Sequence, residues 1–106
     1  MLDLKQLKYF IVCAETGSIS EAAKLLYTTQ PSVSKAIKAL EEEMGIVLFE
    51  RMPRGIALTV KGREAYRYAC RIINDSRILE EMSHGNMAKY LRISLNPSSW
   101  FTNQFV

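Results

Sequence analysis

The residues with the most chemical potential lie between positions 30 and 54. Gln30, Pro31, Ser32, Ser34, Lys35 and Lys38 are interleaved with Val33, Ala36, Ile37 and Leu40 at helical spacing. At about 100° per residue the four apolar residues gather on one side of a helix. Pro31, Lys35 and Lys38 fall opposite, with Ser34 on the flank and Gln30 at the leading tip. No acid occurs on that face before Glu42, and the Glu41-Glu42-Glu43 run is confined to the trailing end. A helix polarised in this way offers backbone N–H groups and a positive dipole end to phosphates. Its side chains suit base edges in a major groove. Gln30 can pair bidentately with adenine, Lys35 can reach O6 and N7 of guanine, and Ser34 can donate or accept. Arg51 and Arg54, beside Pro53, add guanidinium groups suited to an adjacent backbone or minor groove. Ser18 and Ser20 open another helical stretch and are candidates for phosphate contacts that set register without reading sequence. Each of these polar groups also has a plain reading as solvated surface, which is the preferred one for Lys24.

Other chemistries lack their residues. His84 is the single histidine, and Cys13 and Cys70 lie far apart inside helical patterns, so neither a zinc site nor a disulfide framework is expected. There is no phosphate-cradling glycine loop, and a nucleophilic triad would have to be built on His84, between Ser83 and Gly85. The expectation is a protein that is not an enzyme and holds no cofactor and no metal. With 48% hydrophobic and 24% charged residues among 106, the chain is an ordinary globular one with room for a single modest core. No apolar run approaches the roughly 18 residues of a membrane span, and the amphipathic N-terminus lacks a signal-peptide plan. A reducing, cytoplasmic location at the nucleoid is expected, with no membrane partner. The net charge is +3, but residues 1–60 hold seven bases and seven acids, and the whole excess falls in residues 61–106. The arrangement of charge, not its sum, must therefore carry any nucleic-acid argument.

Three amphipathic helices must position these groups. The i, i+3, i+4, i+7 template recurs as Leu7, Phe10, Ile11, Ala14, then Ile19, Ala22, Ala23, Leu26, then Val33, Ala36, Ile37, Leu40. Asp3 with Gln6 and Ser18 with Glu21 fit capping boxes, Pro31 suits the first position of the third helix, and Gly45 closes it. Two short apolar runs, Ile46–Phe49 and Ile56–Thr59, enclose a basic turn and predict a β-hairpin presenting Arg51 and Arg54 at its tip. A plain surface loop is the alternative. From Thr59, a helical pattern runs to about Met82 or Tyr90. Its stripes Ala65-Ala69-Ile72-Ser76-Leu79 and Tyr66-Ala69-Cys70-Ile73 have a spacing that resembles a coiled-coil seam and favours a dimer. The alternative is that this helix folds back on its own domain. Tyr90 to Leu95 then alternates like one strand, ended by Asn96-Pro97-Ser98-Ser99.

Two helices joined by a tight turn match a helix-turn-helix. Several ordered motifs carry a closer resemblance: Leu7-Lys8-Tyr9-Phe10; Gly17-Ser18-Ile19-Ser20-Glu21-Ala22-Ala23-Lys24-Leu25-Leu26; Gln30-Pro31-Ser32-Val33-Ser34-Lys35-Ala36-Ile37-Lys38-Ala39-Leu40-Glu41; Gly45-Ile46-Val47-Leu48-Phe49-Glu50-Arg51; and Leu58-Thr59-Val60-Lys61-Gly62. In this order, over about residues 2 to 90, the chain resembles the N-terminal region of LysR-type transcriptional regulators. The resemblance implies a mainly α fold, a winged helix-turn-helix of three helices plus a small β-hairpin wing, followed by a long dimerisation helix. It implies a DNA-binding domain over 1–60 (helix-turn-helix about 19–40, wing about 46–59) and a linker helix over 61–90. Residues 91–106 would be the first strand and opening of a truncated effector-binding domain. Double-stranded DNA and a second subunit are the implied partners, with each recognition helix reading half of an interrupted palindrome.

Carried over by residue, Gln30, Pro31, Ser34 and Lys35 would face base edges, while Ser32, Lys38 and Arg54 would approach the backbone or minor groove. Many relatives have arginine where Lys35 stands, and lysine lacks the planar fork for bidentate guanine readout. Tyr27 puts a bulky residue in a turn where small ones are common. Ser98 and Ser99 stand where relatives often line the pocket for a small-molecule effector, a pocket that needs the rest of that domain. Winged domains of molybdate-responsive regulators are the nearest rival family, and a winged helix used only for protein–protein contacts is the rival function.

Overall fold

The structure, a computed structural model, describes residues 2–83. The described elements are α1 (Leu4–Thr16), α2 (Ile19–Leu25), α3 (Gln30–Met44), β1 (Phe49–Met52), β2 (Gly55–Leu58) and α4 (Val60–Ser83). This is the expected winged helix-turn-helix followed by a long helix. The expected strand over Tyr90–Leu95, the turns of the linker helix beyond Ser83, and Ser98 and Ser99 lie outside the described residues.

Local chemistry sets the helix ends, with three departures from expectation. At α1, the Asp3 carboxylate accepts from the Lys5 N–H at 2.9 Å. The capping box with Gln6 does not close, and Gln6 Oε1 is buried without a partner among the described residues. At α2, Ser18 Oγ accepts from the Glu21 N–H at 3.1 Å as expected. The Glu21 carboxylate, however, sits 3.5 Å from Lys24 Nζ, and the Ser18 N–H donates instead to Thr16 Oγ1 at 3.3 Å. At α3, Thr29 is the cap, its Oγ1 accepting from the Ser32 N–H at 3.3 Å. Pro31 is therefore the second helical residue, not the first. The proline still sacrifices no hydrogen bond there, because the first four N–H groups of a helix have no intrahelical acceptor.

The apolar stripes of α1, α2 and α3 converge on one core. Leu7, Phe10 and Cys13 meet Ala22 and Ala23, then Val33, Ile37 and Leu40, and Leu48 and Ala69 close it. Each large side chain removed from water in this way contributes about 1.5–3 kcal/mol. Phe10 is the hub. Its ring stands edge-on to Phe49 at 5.5 Å and to Tyr66 at 6.4 Å, which ties α1 to β1 and α4. Burial in this core pushes the Cys13 thiol from 9.0 up to about 11.

The wing is a minimal antiparallel pair, with Phe49 opposite Leu58 and Met52 opposite Gly55, so Pro53 and Arg54 form the turn. Neither turn residue has a positive φ, which rules out the primed turns usual in two-residue hairpins. The left-handed residue comes next, at Gly55 with φ 91°, the arrangement of a type I turn with Pro at its second position and Gly at its fourth. Gly55 also permits a close approach. A Cβ there would overlap the carbonyl oxygen of Gly17 and stand 3.4 Å from its carbon. The neighbouring Ile56 N–H donates to that same oxygen at 3.0 Å, which seats the wing on the α1–α2 corner.

Thr59 starts α4 and anchors it. Its Oγ1 accepts from the Gly62 N–H at 2.9 Å and donates to the Val47 carbonyl at 2.6 Å, while its own N–H donates to Leu48 O at 3.0 Å. The compact unit Met1–Cys70 includes the first turns of α4, beyond the boundary at residue 60 that the motifs suggest. Two residues assigned to a dimer seam make contacts within this unit. Ala69 is 2% exposed in the single chain, and Tyr66 packs on Phe10 and donates to Glu15 Oε2 at 3.1 Å. In the single chain these two positions already have neighbours from their own unit. Their helix face lies over α1, and an apolar stripe cannot state which surface will cover it.

Candidate nucleic-acid interface

α3 brings the sequence-predicted readers to one solvent face. With Val33, Ile37 and Leu40 buried, Gln30, Pro31, Ser32, Ser34, Lys35 and Lys38 are all exposed. The Ser32 hydroxyl accepts from Thr29 Oγ1–H at 2.8 Å, which orients it and leaves its own proton available. Lys35 and Lys38 have no ion-pair partner among the described residues, so their charge is available to a polyanion.

The trailing acids are disposed unequally. Glu42 and Glu43 are exposed, but Glu41 turns inward, its Oε2 accepting from the Leu48 N–H at 2.8 Å and the Phe49 N–H at 3.4 Å. This carboxylate ties the end of α3 to the entry of the wing and caps two amides that the short hairpin leaves unpaired. That role was not legible among three consecutive acids in the sequence. The only available signal was the repeat of an acid at the end of an otherwise acid-free face.

A second cluster forms where the wing meets α2. The position a Gly55 Cβ would occupy is 4.0 Å from Ser18 Cα, so the turn carrying Arg54 and the start of α2 carrying Ser18 and Ser20 are neighbours. Ser20 and Arg54 are exposed, and Ser18 is half-buried with its Oγ engaged as cap. Arg51 is exposed in β1, opposite Ile56, one pair back from the turn and not at the tip as expected. The two arginines, like the two lysines, have no ion-pair partner among the described residues. Lys24 is paired with Glu21, in keeping with its plain surface reading. The arrangement is chemically a set of uncompensated cations, hydroxyl and amide groups around two helix N-termini. Among the described residues no group of His, Cys, Asp and Glu could hold a metal, and no helix is long and apolar enough to cross a membrane.

Further along α4, Ala65, Ile73 and Ser76 are half-buried, while Ile72 and Leu79 are 40% and 66% exposed. Tyr66 holds its proton well above the ordinary phenol range, first because of burial, then because of its hydrogen bonds with Cys70 and Glu15.

Comparison with known proteins places this arrangement. Residues 4–63 match the family described as bacterial regulatory helix-turn-helix protein, lysR family. The chain is 42% identical over 77 residues to the HTH-type transcriptional regulator ClcR of Pseudomonas putida, covering 73% of this chain but only 26% of ClcR. It is 40% identical over 84 residues to the HTH-type transcriptional regulator BudR of Klebsiella aerogenes, covering 79% of this chain and 59% of BudR. Among solved structures, the CbnR DNA-binding domain in complex with DNA superposes with a TM-score of 0.76 at 38% identity, covering 81% of this chain and 99% of that one. The BenM DNA-binding domain in complex with catB site 1 DNA gives 0.75 at 35% identity, covering 78% and 92%. The chain therefore belongs to the lysR family of bacterial regulatory helix-turn-helix proteins, and residues 4–63 are that family's winged helix-turn-helix DNA-binding domain.

Proposed function

We propose that this chain reads double-stranded DNA by sequence, as one subunit of a homodimer that occupies an interrupted palindrome and regulates transcription. The observation that carries the reading is the exposed first two turns of α3, where Gln30, Ser34, Lys35 and Lys38 face solvent with no acid among them and with both lysines uncompensated. Inserted N-terminus first, that face puts an amide, a hydroxyl and an ammonium against base edges. Pro31 shapes the leading turn. Ser32, Lys38, Ser18 and Ser20 meet phosphates, and Arg51 and Arg54 on the wing add salt-dependent affinity at the adjacent backbone or minor groove.

Dimerisation in this reading uses the part of α4 that the core does not cover, with Ile72 and Leu79 as the anchors and Ala65, Ile73 and Ser76 beside them. A symmetric pair of readers then imposes a symmetric site with fixed half-site spacing. A small-molecule effector, met by Ser98, Ser99 and the rest of an effector domain, would set when the regulator acts. The working location is the cytoplasm, at the nucleoid. No catalysis is required.

Selection of bound duplexes from a random pool at near-physiological salt tests the proposal. Enrichment of an interrupted dyad is the expected result. Binding without enrichment, lost steeply as salt rises, would reduce the interface to backbone contact and refute sequence reading.

A further inference from the structure

The turn between α2 and α3 contains a side chain with no partner among the described residues. Beyond α2, the Thr28 N–H reaches Ala23 O at 3.0 Å and the Tyr27 N–H reaches Lys24 O at 3.2 Å. This pair of closures makes Tyr27 the left-handed residue that follows the helix, a position glycine normally holds. Its φ is 54°, the one positive value at a non-glycine among the described residues. The ends of α1 and α3 use Gly17 and Gly45, at 67° and 70°. In this region Cβ crowds the neighbouring carbonyl, so tyrosine strains the turn where glycine would not. The ring returns nothing to the fold, since Tyr27 is 95% exposed and makes no hydrogen bond or ring contact with any described residue. Strain kept without an internal contact points to an external one.

The position says which contact. Tyr27 stands two residues before the Thr29 cap and three before Gln30, the tip of the reading face. Three residues of chain span at most about 11 Å, less than the roughly 12 Å width of a major groove. A duplex engaged by Gln30 therefore passes within reach of the ring. The groove wall at that point is a phosphate backbone rich in acceptors, and a neutral phenol supplies one O–H donor. We propose that Tyr27 donates its hydroxyl to a backbone phosphate of the bound duplex beside the α3 N-terminus, and that the turn keeps tyrosine for affinity at the expense of fold stability. The proposal rests on the DNA-binding reading above.

The test uses the full 106-residue chain with two labelled duplexes, one of random sequence and one recovered by selection. Affinity is measured against salt for wild type, Tyr27→Phe, Tyr27→Gly and, as a charged control, Lys38→Ala, with Tm recorded for each. Tyr27→Phe should weaken binding to both duplexes about tenfold, the effect of losing one hydrogen bond to a charged acceptor. Its salt slope should match wild type, because no charge is removed, whereas Lys38→Ala should lower the slope by about one. Tyr27→Gly should bind at least as weakly while its Tm stays level or rises. The proposal is overturned if both variants bind like wild type, or if Tyr27→Gly lowers Tm by several degrees and so reveals a structural ring. It is also overturned if only the glycine variant weakens, since the hydroxyl would then be idle. Failure of wild type to bind either duplex would instead overturn the DNA-binding reading itself.

Discussion

Gly62 lies in the first turn of α4 with its Cα against the carbonyl of Leu48. Within most helices, replacing glycine by alanine gains about 1 kcal/mol. Here the added methyl would overlap the Leu48 oxygen and stand 3.0 Å from its carbon and 3.1 Å from Thr59 Oγ1. None of these neighbours can swing aside. Leu48 O accepts from the Thr59 N–H at 3.0 Å, and Thr59 Oγ1 is held between the Gly62 N–H and the Val47 carbonyl. Relief requires the start of α4 to move away from the entry of the wing. Forced repacking of that kind costs about 1–3 kcal/mol, and losing the Thr59–Leu48 hydrogen bond adds about 1 kcal/mol. After subtracting the helix gain, Gly62→Ala should destabilise by about 1–3 kcal/mol. In a domain of this size each kcal/mol shifts Tm by about 4–8 °C, so a fall of roughly 10 °C is expected. Circular dichroism melts and urea titrations measure it, with Lys61→Ala, exposed on the same turn, as the near-neutral control. A Gly62→Ala protein that melts at or above wild type would refute the close approach and the reasoning built on it.

Glu41→Ala should cost about 1–3 kcal/mol in urea unfolding, because the Leu48 and Phe49 amides lose a charged acceptor. Glu41→Gln, which keeps one acceptor, should lose less, and equal neutrality of both would remove the carboxylate's tethering role. Cys13 loses its proton at 9.0 unfolded and at about 11 folded, so between those values the unfolded chain binds fewer protons and stability falls as pH rises. The fall amounts to up to about 2 kcal/mol; urea midpoints taken from pH 8 to 11 should show it, and Cys13→Ala should flatten it. Lys35→Ala should relax preference at one base position by about 1–3 kcal/mol in competition binding. Equal weakening on every sequence would move Lys35 from base edge to phosphate. Substituting glutamate at both Ile72 and Leu79 should yield a monomer in analytical ultracentrifugation, and a dimer that survives the pair would exclude that face of α4 as the interface.

Much of this fold was legible from local chemistry. Helical periodicity placed three amphipathic segments and the face of α3 that stays wet, because what is buried on a short helix is decided by residue order. Ser18, Gly45 and Thr59 marked ends in the sequence for the same reason, since a cap acts within three or four residues of itself. A hairpin around Pro53 and Gly55 was legible, but its first strand was not: β1 runs Phe49–Met52 and takes in Glu50, Arg51 and Met52, which read as turn, while Ile46, Val47 and Leu48 precede it. The capping box at Asp3 failed as an expectation: Asp3 accepts from the Lys5 N–H, while Gln6 Oε1 is buried without a partner among the described residues.

Contacts between distant segments were not legible. Glu41 reads as one of three solvated acids until the wing entry arrives beside it with two unpaired amides. Tyr66 and Ala69 read as part of a dimer seam, and only the packing of α4 shows that Ala69 is buried and that Tyr66 is half-buried against Phe10 within the single chain. Gly55 and Gly62 look like flexible residues in the sequence, yet each is held by a backbone carbonyl from elsewhere in the chain. The sequence by itself determined the elements, their caps and the chemistry of the exposed reading face, because these depend on neighbours within one or two turns. The tertiary structure alone decided which apolar stripes are already covered, where an acid is turned inward and where two backbones touch, because each depends on chain segments that only folding brings together.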